Sequence, residues 1–174
     1  MSKPRPRSNS VSAGGRSSRF AMVARLALAA GAVLALALPS RAEEAGAKVW
    51  ARGGCAACHG NLAAGDGDPA YPPGPNLRRT RLERDLLIET ISCGRPSTPM
   101  PTNLRGAYTQ VSCYGLPVGE VPAEVNGKGS LTAEEVETLT DFLLKYVVGK
   151  TRITRENCAV FNDGNANAPE CLQY

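Results

Sequence analysis

The sequence predicts an all-α domain, and three observations support this. Residues 130–148 contain the clearest helical pattern, in which a capping pair precedes a continuous apolar stripe. Residues 80–93 repeat that pattern, and the residues on their apolar face are Leu82, Leu86, Leu87 and Ile91. A C-x-x-C-H motif at 55–59 adds a short helical turn, because residues three and four apart share one helix face. We therefore expect three to four helices arranged around this motif.

Residues 1–42 have the composition of a secretory signal peptide. The first 20 residues carry basic side chains and no acidic one, and an apolar run follows at 26–38. Ser40, Arg41 and Ala42 then place small residues at a signal-peptidase position, so cleavage is expected after Ala42. The alternative is an uncleaved membrane anchor, but thirteen apolar residues (26–38) are too few to span a bilayer. The sequence thus predicts export to the periplasm and no permanent membrane span.

The charge of the chain changes when this segment is removed. Seven of the 20 basic residues and none of the 16 acidic ones lie in residues 1–42, so 43–174 carries 13 basic against 16 acidic side chains. The sequence pI of about 8.8 therefore reflects the export signal, and it gives no support to a nucleic-acid partner. One Trp and few Phe indicate a small core, which a buried prosthetic group would extend.

The C-x-x-C-H motif is typical of covalent c-type haem attachment. Cys55 and Cys58 would bond the haem vinyl groups, and His59 would ligate the iron. A zinc site would need further Cys or His ligands at close spacing, and none lies nearby in the sequence. A redox dithiol would sit in a chain of alternating strands and helices, whereas the downstream pattern is helical. We expect one haem c per chain.

Four further motifs resemble class I cytochromes c. Gly46 and Trp50 match the first helix of that family, and Leu139-x-x-Phe142-Leu143 is similar to its last helix, which crosses the first. Gly74-Pro75-Asn76-Leu77 and Met100-Pro101 match its two loop motifs, in the family's order. The resemblance covers residues 43–150 and implies a cytochrome c fold around one covalently bound haem.

This resemblance also implies roles for individual residues. The Pro75 carbonyl would accept the Nδ1 proton of His59, and Met100 would be the sixth iron ligand. His59 is the only histidine, and Met100 the only methionine, in residues 43–174. The alternatives are that Met100 fills a gap in the core and that Trp50 is an electron-transfer residue rather than a core residue. Asp66 and Asp68 are interpreted as turn residues, since they lack the longer ligand pattern of a calcium loop.

The helix at 80–93 is predicted to begin with a capping box between Thr80 and Glu83 and to stop at Gly94. Four arginines precede or enter it. They are Arg78, Arg79, Arg81 and Arg84. Two interpretations stay open for this cluster: a solvated face, or a surface that pairs with a haem propionate or with the acidic rim of a partner.

The remaining segments are an insertion at 102–129, without helical periodicity, and a tail at 151–174. Four cysteines lie outside the haem motif. Cys93 ends the helix before the methionine loop and Cys113 lies in the insertion after it, so their pairing would enclose Met100. Cys158 and Cys171 would then close a separate ring in the tail. Either bridge would be structural or would tune the methionine loop.

These observations predict a periplasmic one-electron carrier rather than an enzyme. Its partners would be redox proteins, namely a donor dehydrogenase and an acceptor oxidase or second cytochrome. One alternative is a haem subunit bound tightly to a periplasmic dehydrogenase, with the insertion and the tail as docking surface. Another is a ligand-binding or peroxidatic haem protein, if Met100 is displaced. A third alternative is a cysteine protein without haem.

Overall fold

Five α-helices form the framework of residues 41–174, the part of the chain that the computed structural model describes. They are α1 (Arg41–Arg52), α2 (Cys55–His59), α3 (Arg84–Cys93), α4 (Ala133–Tyr146) and α5 (Arg155–Ala159). Two short 3₁₀ helices lie at Leu77–Arg79 and Pro169–Cys171. Strand pairing within residues 41–174 is limited to three isolated bridges. The predicted all-α class is confirmed.

The predicted signal peptide lies outside the described residues, apart from Arg41 and Ala42, which begin α1. The described helices all belong to one compact unit. None of the helices in residues 41–174 combines the length and the apolar character needed to cross a membrane.

The centre of the core is the contact between α1 and α4. The stripe on α4 is buried, and its members are Val136, Leu139, Phe142, Leu143 and Tyr146. A Cβ atom added to Gly46 would lie 2.7 Å from Phe142 Cγ, so only glycine allows the two helices to approach this closely. Trp50 is 3% exposed and packs edge-on against Phe161. This is the core position that the sequence indicated for it.

The predicted capping box of the last helix is present. The backbone N–H of Glu135 donates to the Thr132 hydroxyl, and the Thr132 N–H donates to Glu135 Oε2 at 2.8 Å. The capping box thereby satisfies the N–H groups of Thr132 and Glu135 at this helix start. The Arg52 guanidinium, at the end of α1, pairs with the same carboxylate.

The predicted start of α3 was wrong. The helix begins at Arg84 rather than near Thr80, and its N-cap Glu83 makes no side-chain capping bond. The Thr80 hydroxyl instead donates to the Leu77 carbonyl at 2.8 Å, because the chain first makes a 3₁₀ turn that uses this hydroxyl. Leu86, assigned to the apolar face, is 52% exposed, whereas Leu87 is buried. The helix ends at Cys93, before Gly94, as predicted.

The arginine cluster is also not one surface, since Arg78 is 1% exposed. Its Nε donates to Leu62 O at 2.6 Å, and its Nη1 lies 3.3 Å from both Tyr146 O and Lys150 O. It therefore joins the loop after the C-x-x-C-H motif to the end of α4. Neither interpretation of the cluster holds for Arg78, while Arg84 forms an ion pair with Asp141 at 3.2 Å.

Both predicted disulfides are confirmed. Cys93 bonds Cys113 and Cys158 bonds Cys171, with Cα–Cα distances of 5.7 and 5.5 Å. The insertion contains no helix, as its lack of periodicity predicted. Two disulfides are compatible with an oxidising, exported environment.

Candidate functional site

The centre of the candidate site is α2, a single helical turn that contains the C-x-x-C-H motif. A helix this short cannot satisfy its own last four carbonyl groups. The loop at 60–74 donates a backbone N–H to each of them. The four bonds join Gly60 N to Ala56 O at 2.9 Å, Asp68 N to Ala57 O at 2.8 Å, Gly74 N to Cys58 O at 2.9 Å, and Gly65 N to His59 O at 2.8 Å. The loop thus holds the motif rigidly in a helical turn.

His59 is oriented by the end of this loop. Its side chain is largely buried, at 9% exposure, and Nδ1 lies 3.0 Å from the carbonyl oxygen of Pro75. Because a carbonyl oxygen can only accept, this contact requires the proton to be on Nδ1. Nε2 of the neutral ring then keeps its lone pair, which is the state that binds a metal.

Gly74 allows the loop to lie against the imidazole. A Cβ atom at this position would lie 2.7 Å from His59 Nδ1, closer than a real Cβ tolerates. The ring of Trp50 lies on the core side of the imidazole, with 6.2 Å between the two ring centroids. The ring is therefore fixed by a hydrogen bond and by packing, before any ligand is considered.

Cys55 and Cys58 are the two cysteines of residues 41–174 without a disulfide partner. Both are partly buried, and burial raises the pKa of Cys55 to about 11, with a smaller rise from the neighbouring Cys58. A catalytic redox dithiol needs a thiolate with a lowered pKa. The environment of Cys55 therefore disfavours the dithiol alternative.

The zinc alternative also lacks support. Within the described part of the chain, no three His, Cys, Asp or Glu side chains come together as a metal site. The motif keeps two thiols and one imidazole, and a structural zinc would need a fourth ligand at tetrahedral distance.

Met100 lies in a different loop, between α3 and the insertion. Its side chain is half-buried, and its carbonyl accepts from Arg95 N at 3.2 Å. The structure thus brings Cys55, Cys58, His59 and Pro75 into one unit around α2. The Met100 loop is positioned by α3 and by the insertion.

The donor set fits a covalently bound haem. Two free thiols on one helical turn match the attachment chemistry, and a neutral imidazole with a free Nε2 and a thioether match the axial ligands of a c-type haem. One buried donor beside the imidazole, Trp50 Nε1, has no acceptor among the described residues. An acceptor brought by a bound group would satisfy it.

Two contributions escaped the sequence analysis. Arg78 anchors the loop that holds His59, and Asn126 donates from the insertion to the carbonyl of Thr98, beside Met100. Four arginines close together in the sequence do not indicate that one of them, Arg78, is buried. A lone Asn in a Gly- and Pro-rich loop carries no periodic signal.

No protein-family model matches this chain, and no curated protein or solved structure matches it either.

Proposed function

We propose that this chain binds one haem c covalently and acts as a one-electron carrier in the periplasm, with the fold of class I cytochromes c. The observation that carries the proposal is the state of His59. Its Nδ1 donates to Pro75 O, which leaves Nε2 free one residue after a cysteine with a free thiol. This arrangement provides an imidazole ligand next to an attachment point.

Each residue of the set has a defined part in this proposal. Cys55 and Cys58 would hold the haem through two thioether bonds, and His59 Nε2 would be one axial ligand. Pro75 would keep the imidazole in the ligating tautomer and increase its basicity. Met100 would be the other axial ligand, because it is the only thioether in residues 43–174.

The ligand set favours electron transfer over catalysis. A bound haem would supply the one-electron Fe(III)/Fe(II) couple, and a thioether ligand would stabilise the Fe(II) form. With both axial positions filled by side chains, no position is open for a substrate. The partners would then be redox proteins, a donor dehydrogenase and an acceptor oxidase or cytochrome. Both disulfides fit a periplasmic location.

Covalent attachment is the first test. The chain is produced in cells that carry a cytochrome c maturation system, and its intact mass and haem stain are measured after denaturation. We expect one haem per chain, and we expect Cys55→Ala and Cys58→Ala each to reduce the covalent yield. The double variant Cys158→Ala/Cys171→Ala is the control that retains it. A colourless unmodified chain would refute the proposal.

The axial ligand is tested separately by spectroscopy of the ferric protein. We expect a low-spin spectrum with the weak near-infrared thioether-to-iron charge-transfer band, and Met100→Ala should abolish that band. A high-spin spectrum of the unmodified protein at neutral pH would contradict the ligand assignment. Strong carbon monoxide binding by the reduced protein would then favour a ligand-binding or peroxidatic haem protein.

A second candidate function has one specific observation in its favour. The insertion exposes large apolar side chains, with Val111, Tyr114, Val118 and Val121 each between 41% and 55% exposed. All charged side chains of residues 111–124 are acidic. A surface of this kind suits docking to a protein partner with a basic rim. It is the surface expected if this chain is a haem subunit bound to a periplasmic dehydrogenase. Co-elution with a larger enzyme at low salt, lost at high salt, would favour this role over a free carrier.

A further inference from the structure

We propose that the insertion at 102–129 is a brace that holds the Met100 loop in its ligating position, with Asn126 as the positioning residue at its tip. The claim that the brace supports ligation by Met100 rests on the proposed function. The bracing itself concerns only residues of this chain.

The Met100 loop is held internally before Met100, where the Thr98 hydroxyl and N–H donate to Arg95 O at 2.7 and 3.1 Å, but only weakly at Met100 itself. Its own contacts at Met100 are an amide that lies 3.3 Å from the Thr98 hydroxyl and a carbonyl that lies 3.2 Å from Arg95 N. Both distances are at or beyond the long end for hydrogen bonds. Ser97 has a φ of 61°, a left-handed conformation that is unfavourable for a residue with a Cβ. Thr98, Pro99 and Pro101 are exposed. The loop therefore needs support from elsewhere.

The base of the brace is attached where the loop begins. The disulfide Cys93–Cys113 ties the end of α3 to the insertion, and both cysteines are buried. The next residue, Tyr114, donates its hydroxyl to Gly94 O at 2.6 Å, and its N–H donates to Glu89 Oε1 at 2.8 Å. One covalent and two polar contacts therefore fix the insertion to α3 and to the first residue of the loop.

Asn126, at the tip of the brace, bonds the chain on both sides of Met100. Its Nδ2 donates to Thr98 O at 2.9 Å, two residues before Met100. Its carbonyl accepts from Thr102 N at 2.9 Å; Thr102 is the first residue of the insertion and lies two residues after Met100. Thr102 also donates its hydroxyl to Gly127 O at 3.2 Å. One residue of the insertion thus bonds both flanks of Met100 at short distances.

Two residues of the brace have strained backbone conformations. Tyr108 and Tyr114, on either side of Cys113, have φ values of 64° and 52°. Aromatic residues keep this conformation only where the surrounding structure enforces it. Tyr108 is 1% exposed and packs with Cys93 and Cys113. The shape of the insertion therefore depends on the same contacts that attach it to the Met100 loop.

The test uses the haem-loaded, full-length mature protein with Asn126→Asp. This change keeps the size and the backbone bond to Thr102, but a carboxylate cannot donate to the Thr98 carbonyl and repels it. The matched control is Asn162→Asp in the tail, where Asn162 Nδ2 donates to Cys158 O at 3.0 Å in the same way. Two quantities are measured: amide hydrogen exchange of residues 95–103, and the rate of carbon monoxide binding to the ferrous protein.

We expect Asn126→Asp to raise both quantities by roughly fivefold, the factor that corresponds to one lost hydrogen bond. Asn162→Asp should leave both at the unmodified level. Unchanged exchange in Asn126→Asp would overturn the brace, and faster exchange with unchanged carbon monoxide binding would overturn its link to Met100 ligation. Exchange is also measured on both variants as isolated without haem, so it tests the brace even if the chain binds no haem, an outcome that would refute only the proposed function.

Discussion

At the residue scale, Arg78 is a buried charge whose guanidinium donates to backbone carbonyls. Its partners are three backbone carbonyls, two of which belong to the end of α4 and the turn after it. The carbonyl end of a helix carries partial negative charge, so this end of α4 favours a cation. Burial lowers the pKa of Arg78, but a guanidinium stays protonated in proteins. Arg78 therefore acts as a charged cap shared by α4 and the loop that holds His59.

Removing the Arg78 guanidinium should lower the stability of the fold. We expect Arg78→Met to lower the free energy of unfolding by roughly 2–4 kcal/mol, because it leaves several buried carbonyls without donors. Denaturant unfolding measures the effect. The neighbouring Arg79→Met is the control; it changes an exposed side chain and should cost less than about 0.5 kcal/mol. Equal midpoints for the two variants would show that Arg78 does not act as a cap.

The single residues of the site differ in how far the sequence could predict them. The C-x-x-C-H spacing and the resemblance to class I cytochromes c pointed to His59 and Pro75, because both are short motifs with fixed chemistry. Arg78 was misassigned since composition alone does not separate a buried arginine from exposed neighbours. The hydrogen bonds of Asn126 join residues 24 and 28 positions apart, and no local pattern encodes them.

At the element scale, the contact of α1 with α4 is the most extensive one between the described helices. Gly46 is the point of closest approach, and Arg52 reaches the start of α4 through Glu135. The sequence predicted α4 well because its start signal is local: Thr132 and Glu135 are three residues apart. The start of α3 was mispredicted because the same kind of signal at Thr80 serves a preceding turn.

Gly46→Ala tests the close approach of α1 and α4. In a free helix this change would stabilise by about 1 kcal/mol. Here the added Cβ would overlap Phe142, so we expect a net loss of roughly 1–3 kcal/mol in the free energy of unfolding. Ala51→Ser adds one atom on an exposed position of the same helix and serves as the control. A stabilised Gly46→Ala protein would contradict the packing described.

The start of α4 should also give the protein a pH-dependent stability. The hydrogen bond from the Thr132 backbone, and then that from Arg52, holds the pKa of Glu135 below its ordinary value of 4.5. Because the folded pKa is the lower one, this stabilisation is present above about pH 4.5 and is lost as the pH falls through the folded value. We expect the difference in stability between unmodified protein and Glu135→Gln to shrink as the pH falls below 4.5.

The measurement is thermal or denaturant unfolding of both proteins across that pH range. Glu134→Gln, one residue earlier on an exposed position, is the control that lacks these contacts. A constant difference between unmodified protein and Glu135→Gln at every pH would contradict the capping role of this carboxylate.

At the scale of the whole molecule, two disulfide rings extend the helical framework in different places. The first joins α3 to the insertion and encloses the Met100 loop. The second lies in the tail, where Cys158 and Cys171 pack with Leu62 from the loop after the C-x-x-C-H motif. The order of cysteines along the chain was enough to rank these pairings. It could not show that the insertion contacts the methionine loop with its tip, because that depends on the path of an irregular loop.

Removing each bridge separately distinguishes a general stabilising role from control of Met100. In the chain-entropy model, a ring of either size contributes roughly 3 kcal/mol, so Cys93→Ser/Cys113→Ser and Cys158→Ser/Cys171→Ser should lose similar free energies of unfolding. In the haem-loaded protein of the proposed function, their effects on the iron should differ. The first ring fixes the base of the brace, so its loss should weaken the near-infrared thioether band and speed carbon monoxide binding. The second ring packs with Leu62 rather than with the insertion and serves as the matched control.

Both variants are compared at a temperature well below their unfolding midpoints, where each retains its helical circular dichroism. Under those conditions, a weaker thioether band in the first variant alone would tie Met100 to the bridge that encloses it. Equal weakening in both variants would mean that Met100 responds to overall stability. An undiminished band in the first would mean that α3 and the loop hold the thioether without the insertion. In either of these cases the bridge between Cys93 and Cys113 would be structural only, which is the alternative that the sequence left open.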